Sequence, residues 1–349
     1  MTDKYIDYSG QKVFIGIDVH LRQYTLTCRC DGQIVKRARI DADPLALVAF
    51  LGKFFSGAEI YTAYEAGFSG FGLHRVLEGN GIHSIVVHAA SIEVSQKKVK
   101  TDKRDSLKIA EQLEAGRLKG IHIPSEAEEV SRVIARTRDQ LVRAHTRVLN
   151  QIRMRFHQFG LLSHDEERRM NEALAKEVLE SIKAPELRCG IESMLAVRAA
   201  LSGEVKKLDK RLKEQALHDA FEETYRKVPG IGPLAARILS NELGDMSQFA
   251  NEKVLFSFTG LTPSEDTSDQ TRHLGHITRQ GNSRLRHVLV EAAWVAVRKD
   301  PDLKAAFDRI AAKAGKKRAI VAIARKLIGR ARALFRSKED YKRGLNLAA

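Results

Sequence analysis

The sequence predicts an α/β domain over residues 1–125, an all-α coiled-coil region over 126–224 and a mostly helical domain over 225–349. Three observations carry that division. Short β-rich runs alternate with amphipathic stretches up to residue 125. No strand pattern follows between Glu126 and Arg226, and the last third is helical but broken by turns bearing Gly and Pro. The length of 349 residues fits two or three domains at ~150 residues each.

Lys12–Asp18, rich in Val, Ile and Phe, is the first strand, and Gln23–Arg29 the second. Asp31-Gly32 is a two-residue hairpin signal leading into a third strand over Gln33–Ile40. Asp43-Pro44 opens a helix with Leu45, Leu47, Val48 and Leu51 on its apolar face. Glu59–Tyr64 is a strand, Phe68–Glu78 a helix, Ile82–Val87 a strand and Ser106–Gly116 a helix. Three strands, a helix, then alternating strand and helix is the order of an RNase H-like domain.

In the middle region Ile134, Leu141, Val148 and Ile152 share one helix face at about 100° per residue. Their spacing is a heptad with one four-residue step, which predicts a helical hairpin or coiled coil. Arg132, Arg136, Arg143 and Arg147 lie on the opposite face, in a stretch (131–158) with seven arginines and one acid, Asp139. A second charged helix, Glu192–Gln215, returns antiparallel. In the last third, Val228–Arg237 reads as a helix–hairpin–helix turn. Gly230 and Gly232 permit tight bends whose N–H groups can meet a phosphate. Residues 259–282 form a polar loop, and a helix containing Trp294 in its core face follows Ser283.

Charge sets the class of partner. Lys and Arg number 59 against 44 Asp and Glu, a net charge of +15 with pI near 9.7, which makes nucleic acid the expected partner. Acidic disorder, collagen-like repeats and disulfide scaffolds are excluded by composition. Cys28, Cys30 and Cys189 are too few and too badly spaced for a zinc site. No apolar run approaches the ~18 residues of a membrane span. Met1–Asp7 lacks a signal-peptide pattern, so a cytoplasmic, nucleoid-associated protein with no membrane partner is expected. Basic candidates for nucleic-acid contact are Lys97, Lys98, Lys100, Lys103 and Arg104, the four arginines of the middle helix, Arg272 and Arg279 of the polar loop, and Lys316, Lys317 and Arg318. The last three open a tail, Lys313–Arg343, with twelve basic residues against two acids.

Asp18 ends the first strand and Glu65 ends a later one. Asp102 and Asp105, three apart at a helix mouth, share one face. Carboxylates at neighbouring strand ends, closed by such a pair, can hold Mg²⁺ for phosphodiester chemistry. Asp18 is the most informative of them, because a carboxylate directly after Val-Phe-Ile-Gly-Ile emerges from a buried strand. His20 reads as a surface strand-end histidine, and Cys28 and Cys30 as core. Asp266, Asp269, Arg272 and Arg279 lie near one another in sequence, in what reads by residue chemistry as a polar loop. A serine needs a base or cation beside it to act as a nucleophile.

Gly16-Ile-Asp-Val-His20, Tyr64-Glu65-Ala66-Gly67 and Lys100-Thr-Asp-Lys-Arg-Asp105 resemble the DEDD motif of the IS one-ten group of insertion-sequence transposases, with its eleven-eleven subgroup. Val228-Pro-Gly-Ile-Gly232 and Gly260-Leu-Thr-Pro263 through Gly281-Asn282 resemble that group's C-terminal domain. The five motifs occur in the right order and cover nearly the whole chain. The resemblance implies a RuvC-like first domain in which Asp18, Glu65, Asp102 and Asp105 bind Mg²⁺, and a C-terminal transposase domain. It places a nucleophilic serine at Ser268, with Ser264 and Thr267 as competing hydroxyls. Many relatives have Tyr-Ser-Ser-Gly-Gly where this chain reads Asp266-Thr-Ser-Asp-Gln270. The resemblance also implies donor and target DNA as substrates, a guide (bridge) RNA as a structured non-coding partner, and a homo-oligomer, dimer or tetramer. A metal-only junction nuclease and a non-catalytic nucleic-acid-binding protein are the alternatives.

Overall fold

Val13, Ile15 and Ile17 alternate along the first strand and are fully buried, the period-2 pattern that fixes which face of a strand meets a core. The computed structural model describes residues 7–92, 102–163, 170–268 and 271–337, with the side chains of 266–274 left aside. It divides into two units, Met1–Ile123 and Pro124–Ala349.

In the first unit β1 (Lys12–Val19), β2 (Gln23–Cys30) and β3 (Gln33–Asp41) form an antiparallel meander. The β2–β3 turn is Asp31-Gly32, both at positive φ (48° and 76°), the geometry that a two-residue hairpin requires. After α1 (Pro44–Phe54), β4 (Glu59–Glu65) pairs parallel to β1. After α2 (Gly72–Gly79), β5 (His83–Val87) pairs parallel to β4. The strand order is therefore β3-β2-β1-β4-β5. Leu47 and Leu51 of α1 and Leu73 and Leu77 of α2 pack with Val13, Ile15, Ile17, Leu26 and Cys28 in one core. Each such fully buried aliphatic contributes roughly 1.5–3 kcal/mol. Burial pushes the Cys28 thiol up to about 12, so it stays protonated and acts as a small apolar side chain.

The opposite sheet face carries α3 (Asp102–Glu114). Gly16 explains how closely it sits: a Cβ there would lie 2.0 Å from the Ser106 carbonyl oxygen and 2.5 Å from the Ala110 nitrogen. On β2, directly across from Gly16, Thr27 shares a buried 2.9 Å hydrogen bond with the Ser106 hydroxyl. The absence of a side chain at Gly16 thus lets α3 rest on the strand backbone.

In the second unit α4 (Glu126–Gln158) starts at a capping box between Ser125 and Glu128. After α5 (Glu172–Ser181), α6 (Pro185–Ala216) runs back along it. Arg138 near the start of α4 reaches Asp209 near the end of α6, whereas Ile152 and Phe156 pack with Ile191 near the start of α6. A larger core unites α7 (Glu222–Arg226), α8 (Pro233–Leu243), α9 (Glu252–Thr259), α10 (Ser283–Lys299), α11 (Pro301–Ala314) and α12 (Lys316–Ser337).

Two local expectations change. Residues 259–282 are not all loop: β6 (Pro263–Ser268) and β7 (Thr271–Ile277) pair as an antiparallel hairpin. Its Ser- and Thr-rich sequence lacks the apolar alternation that reveals a strand with one buried face. Trp294 is 40% exposed, with its ring edge-on to Phe307, so it lines the surface of the core rather than filling it.

Candidate active site

Side chains alternate along β1, so Asp18 projects on the same sheet face as Gly16, the face that carries α3. Because Gly16 brings α3 down onto β1, the first turn of α3 meets the end of that strand. Asp18, His20 and Asp102 each present a ligand atom within 4.8 Å of the others. The His20 Nε2 is 3.1 Å from Asp18 Oδ2 and 3.5 Å from Asp102 Oδ1. The other oxygen of Asp102 accepts from Arg39 Nη2 of β3 at 3.4 Å.

The electrostatics match a cation site. Burial pushes the Asp18 carboxyl above its ordinary value, and the charges of Asp102 and Asp105 add to the rise; His20 opposes it by charge and hydrogen bonding. Two hard carboxylates with an imidazole nitrogen form a donor set suited to a divalent ion.

The remaining expected acids are nearby but outside that set. Glu65 is exposed at the end of β4, one register step past the Ile17–Tyr64 pair and so beside Asp18 on the same face. Asp105 lies in the first turn of α3, 4.0 Å from Lys108. The imidazole of His20 is half-exposed, as its strand-end position suggested, and it also joins the cluster. Its signal was the i, i+2 spacing from Asp18 across a strand end.

The basic candidates separate into groups. Lys97, Lys98 and Lys100 fall outside the described residues, and Lys103 and Arg104 are exposed in the first turn of α3. In α4, Arg132 Nε donates to the Asn241 carbonyl at 2.8 Å, and Arg136 makes two 2.8 Å bonds to Glu242. These two arginines therefore tie α4 to α8, where helix packing uses their charge. Arg143 and Arg147 are exposed and, with Arg155, Asn150, Gln151 and His287, line a cleft of about 1170 Å³. Lys316, Lys317 and Arg318 are exposed in the first turn of α12.

Gly230 has φ +88°, and a Cβ there would sit 2.3 Å from the Ala292 carbonyl oxygen, so close packing on α10 accounts for the glycine. Gly232, by contrast, has open space around it at the N-cap of α8. Ser268 is the last residue of β6, its backbone paired with Thr271, and its side chain and that of Arg272 lie outside the described set. Ser264 is exposed on the same strand, close against Gly275 of β7. Arg279 follows β7 at φ +55°.

Comparison with known proteins gives the class. Residues 15–159 match a DEDD transposase family model, and residues 223–308 match the model described as "Transposase IS116/IS110/IS902 family". The transposase of insertion sequence element IS1111A from Coxiella burnetii is 27% identical over 286 residues, 78% of this chain and 76% of that one. The transposase of IS1533 from Leptospira borgpetersenii is 33% identical over 137 residues, 38% of this chain and 39% of that one. A Sinorhizobium fredii relative that also bears a transposase name is 27% identical over 294 residues, 81% of this chain and 72% of its own. The protein is thus a DNA transposase. It belongs to the IS110 family of insertion-sequence transposases. Among the described residues, no helix is long and apolar enough to cross a membrane.

Proposed function

We propose that this transposase cuts and rejoins DNA through a phosphoserine at Ser268, with Mg²⁺ held at Asp18 and Asp102 and with Glu65 and Asp105 completing the acidic set. The observation that carries the reading is the convergence of a strand-end carboxylate and a helix-start carboxylate from residues 84 positions apart, 18 and 102. The strand order β3-β2-β1-β4-β5, with three antiparallel strands and then two parallel additions, supports an RNase H-like, RuvC-like assignment for this unit. The antiparallel α4–α6 pair supports a coiled-coil reading of the middle region, which is a natural place for oligomer contacts.

The Ser268 Oγ attacks a DNA phosphorus, forming an Oγ–P ester as the P–O3′ bond breaks and the 3′ oxygen leaves with a proton. A new 3′ hydroxyl then attacks the same phosphorus, restoring the DNA linkage and the serine. Because ester bonds are exchanged one for one, no ATP is needed. A divalent cation at the acidic set supplies charge stabilisation and polarisation of the phosphate oxygens. Asp18 and Asp102 hold that charge in place, and Arg39 orients the Asp102 carboxylate through its outer oxygen.

Sequence choice is assigned to a bound guide RNA. Arg143, Arg147 and the Lys316–Arg318 turn are exposed and suited to phosphates, which position nucleic acid without reading its sequence. Base pairing with a structured RNA supplies the missing specificity. Recombination that is efficient and site-specific with rigorously RNA-free protein overturns that part.

The central experiment is a search for a denaturant-resistant protein–DNA adduct with its own element's DNA. The adduct is expected in wild type and absent in Ser268→Ala, with DNA binding retained. An adduct that survives Ser268→Ala but disappears in Ser264→Ala moves the nucleophile. Cleavage by active protein with no adduct favours the metal-only nuclease.

A further inference from the structure

His20 is the one member of the clustered donor set that the acidic motif does not include, and its backbone is held in place. Its N–H donates to the Gln23 carbonyl at 3.1 Å, which closes the β1–β2 turn and anchors the residue. The ring is half-exposed and sends Nε2 between carboxylates from two different elements, Asp18 of β1 and Asp102 of α3. Nε2 shares a hydrogen bond with Asp18 at 3.1 Å and at the same time lies 3.5 Å from Asp102, within ion-pair range of the second carboxylate.

Asp102 divides its oxygens. Its Oδ2 faces Arg39 and its Oδ1 faces His20. The inner oxygen, the Asp18 carboxylate and Nε2 therefore point at common ground. Ligand atoms on opposite sides of one ion are separated by roughly 4–5 Å, given metal–ligand distances of ~2.0–2.3 Å. The observed limit of 4.8 Å is within reach of that span after a small side-chain adjustment.

We infer that His20 is a metal ligand through Nε2, and that it biases the site towards ions that accept nitrogen, such as Mn²⁺ or Co²⁺, relative to Mg²⁺. The chemical reason is ligand preference. Mg²⁺ favours an all-oxygen octahedron, whereas first-row transition ions accept an imidazole nitrogen alongside oxygen, Co²⁺ more readily than Mn²⁺. This inference rests on the carboxylate site proposed above, so the test separates the two.

The full-length protein is titrated with Mn²⁺ and followed by electron paramagnetic resonance, with pulsed measurement of ¹⁴N coupling. Mg²⁺ affinity is read by competition. Wild type is expected to bind Mn²⁺ with directly coordinated ¹⁴N. In His20→Ala that coupling is lost, and Mn²⁺ binding weakens roughly tenfold or more while Mg²⁺ binding changes less. His20→Gln, which supplies an amide oxygen, should keep Mg²⁺ binding and still lack the nitrogen signal. Mn²⁺ binding that depends on Asp18 but carries no ¹⁴N coupling in wild type overturns the role of His20 and leaves the carboxylate site standing. An Mn²⁺-to-Mg²⁺ affinity ratio unchanged in His20→Ala likewise overturns the role of His20 alone. Absence of any Mn²⁺ binding by wild type overturns both.

Discussion

Arg136 of α4 and Glu242 of α8 form a bidentate pair, with Nε and Nη2 each 2.8 Å from a separate carboxylate oxygen. Glu242 also accepts from Asn282 Nδ2 at 3.0 Å. Asn282 caps α10 and follows the β6–β7 hairpin, so one buried carboxylate connects α4, α8 and the base of the Ser268 hairpin. The hydrogen bond to Glu242 raises the Arg136 pKa, and burial partly opposes that rise.

The two partners should respond unequally to removal. Arg136→Met leaves Glu242 buried and charged, and is expected to cost about 3 kcal/mol in denaturant unfolding of the protein. Glu242→Gln leaves an arginine that is 41% exposed and can turn to water, so its cost should be smaller, about 1–2 kcal/mol. In the double variant the losses should not add, giving a coupling energy of about 1 kcal/mol or more. Strict additivity would show that the pair contributes nothing.

Gly16→Ala tests how α3 is seated. The new methyl would meet the backbone of Ser106 and Ala110, which a rotamer change cannot relieve. The expected destabilisation is about 1–3 kcal/mol. Because α3 carries Asp102, metal affinity should fall as well, even in protein that remains folded at working temperature. Wild-type metal affinity in the folded variant would mean that the acidic cluster does not depend on this contact.

Asp18→Asn should trade function for stability. The charged form of Asp18 is disfavoured in the fold by burial and by its acidic neighbours. Removing that charge is expected to raise metal-free stability by about 0.5–2 kcal/mol while abolishing divalent-ion binding and strand transfer. A variant less stable than wild type without metal would contradict the assigned strain.

Arg237, almost fully buried, faces two carboxylates of opposite character. Burial pushes Asp219 up, but hydrogen bonds from Arg237 and Ser240 outweigh it and hold its pKa below 3.8. Burial raises Glu222 above 4.5, with Arg237 only partly compensating. Asp219 therefore adds stability that is complete above its unfolded value and is lost as pH falls below about 3.8 towards the folded value. Glu222 has the reverse sign: its charged form costs stability at neutral pH, and that cost disappears on protonation. At pH 7 Asp219→Asn should destabilise by about 2–4 kcal/mol, whereas Glu222→Gln should stay within about 1 kcal/mol of wild type. Thermal unfolding between pH 3 and 7 measures both; equal losses would refute the asymmetry.

Much of the first unit was legible along the chain. Alternating Val13, Ile15 and Ile17, the Asp31-Gly32 turn and the Asp43-Pro44 helix start are local signals, and the described strands and α1 begin and end within a residue or two of them. Helix starts without such signals moved further. α2 begins at Gly72 rather than Phe68, which is 69% exposed, and α3 begins at Asp102 rather than Ser106. The β6–β7 hairpin was illegible because neither face supplies an apolar stripe.

The sequence by itself determined the strand and helix order of the first unit, the basic character of the protein and the acids available for a metal site. These follow from residue type and spacing, which local backbone preference and side-chain periodicity convert directly into structure. Only the tertiary structure decided which charges are used internally and which remain at the surface. Arg132, Arg136, Arg143 and Arg147 share one helix face, yet the first two are claimed by Asn241 and Glu242, more than a hundred residues away. It also brought His20 into the acidic cluster, because the bare backbone at Gly16 lets α3 carry Asp102 to within 3.5 Å of that ring. A pairing between distant segments depends on how closely their backbones approach, and no local spacing encodes that distance.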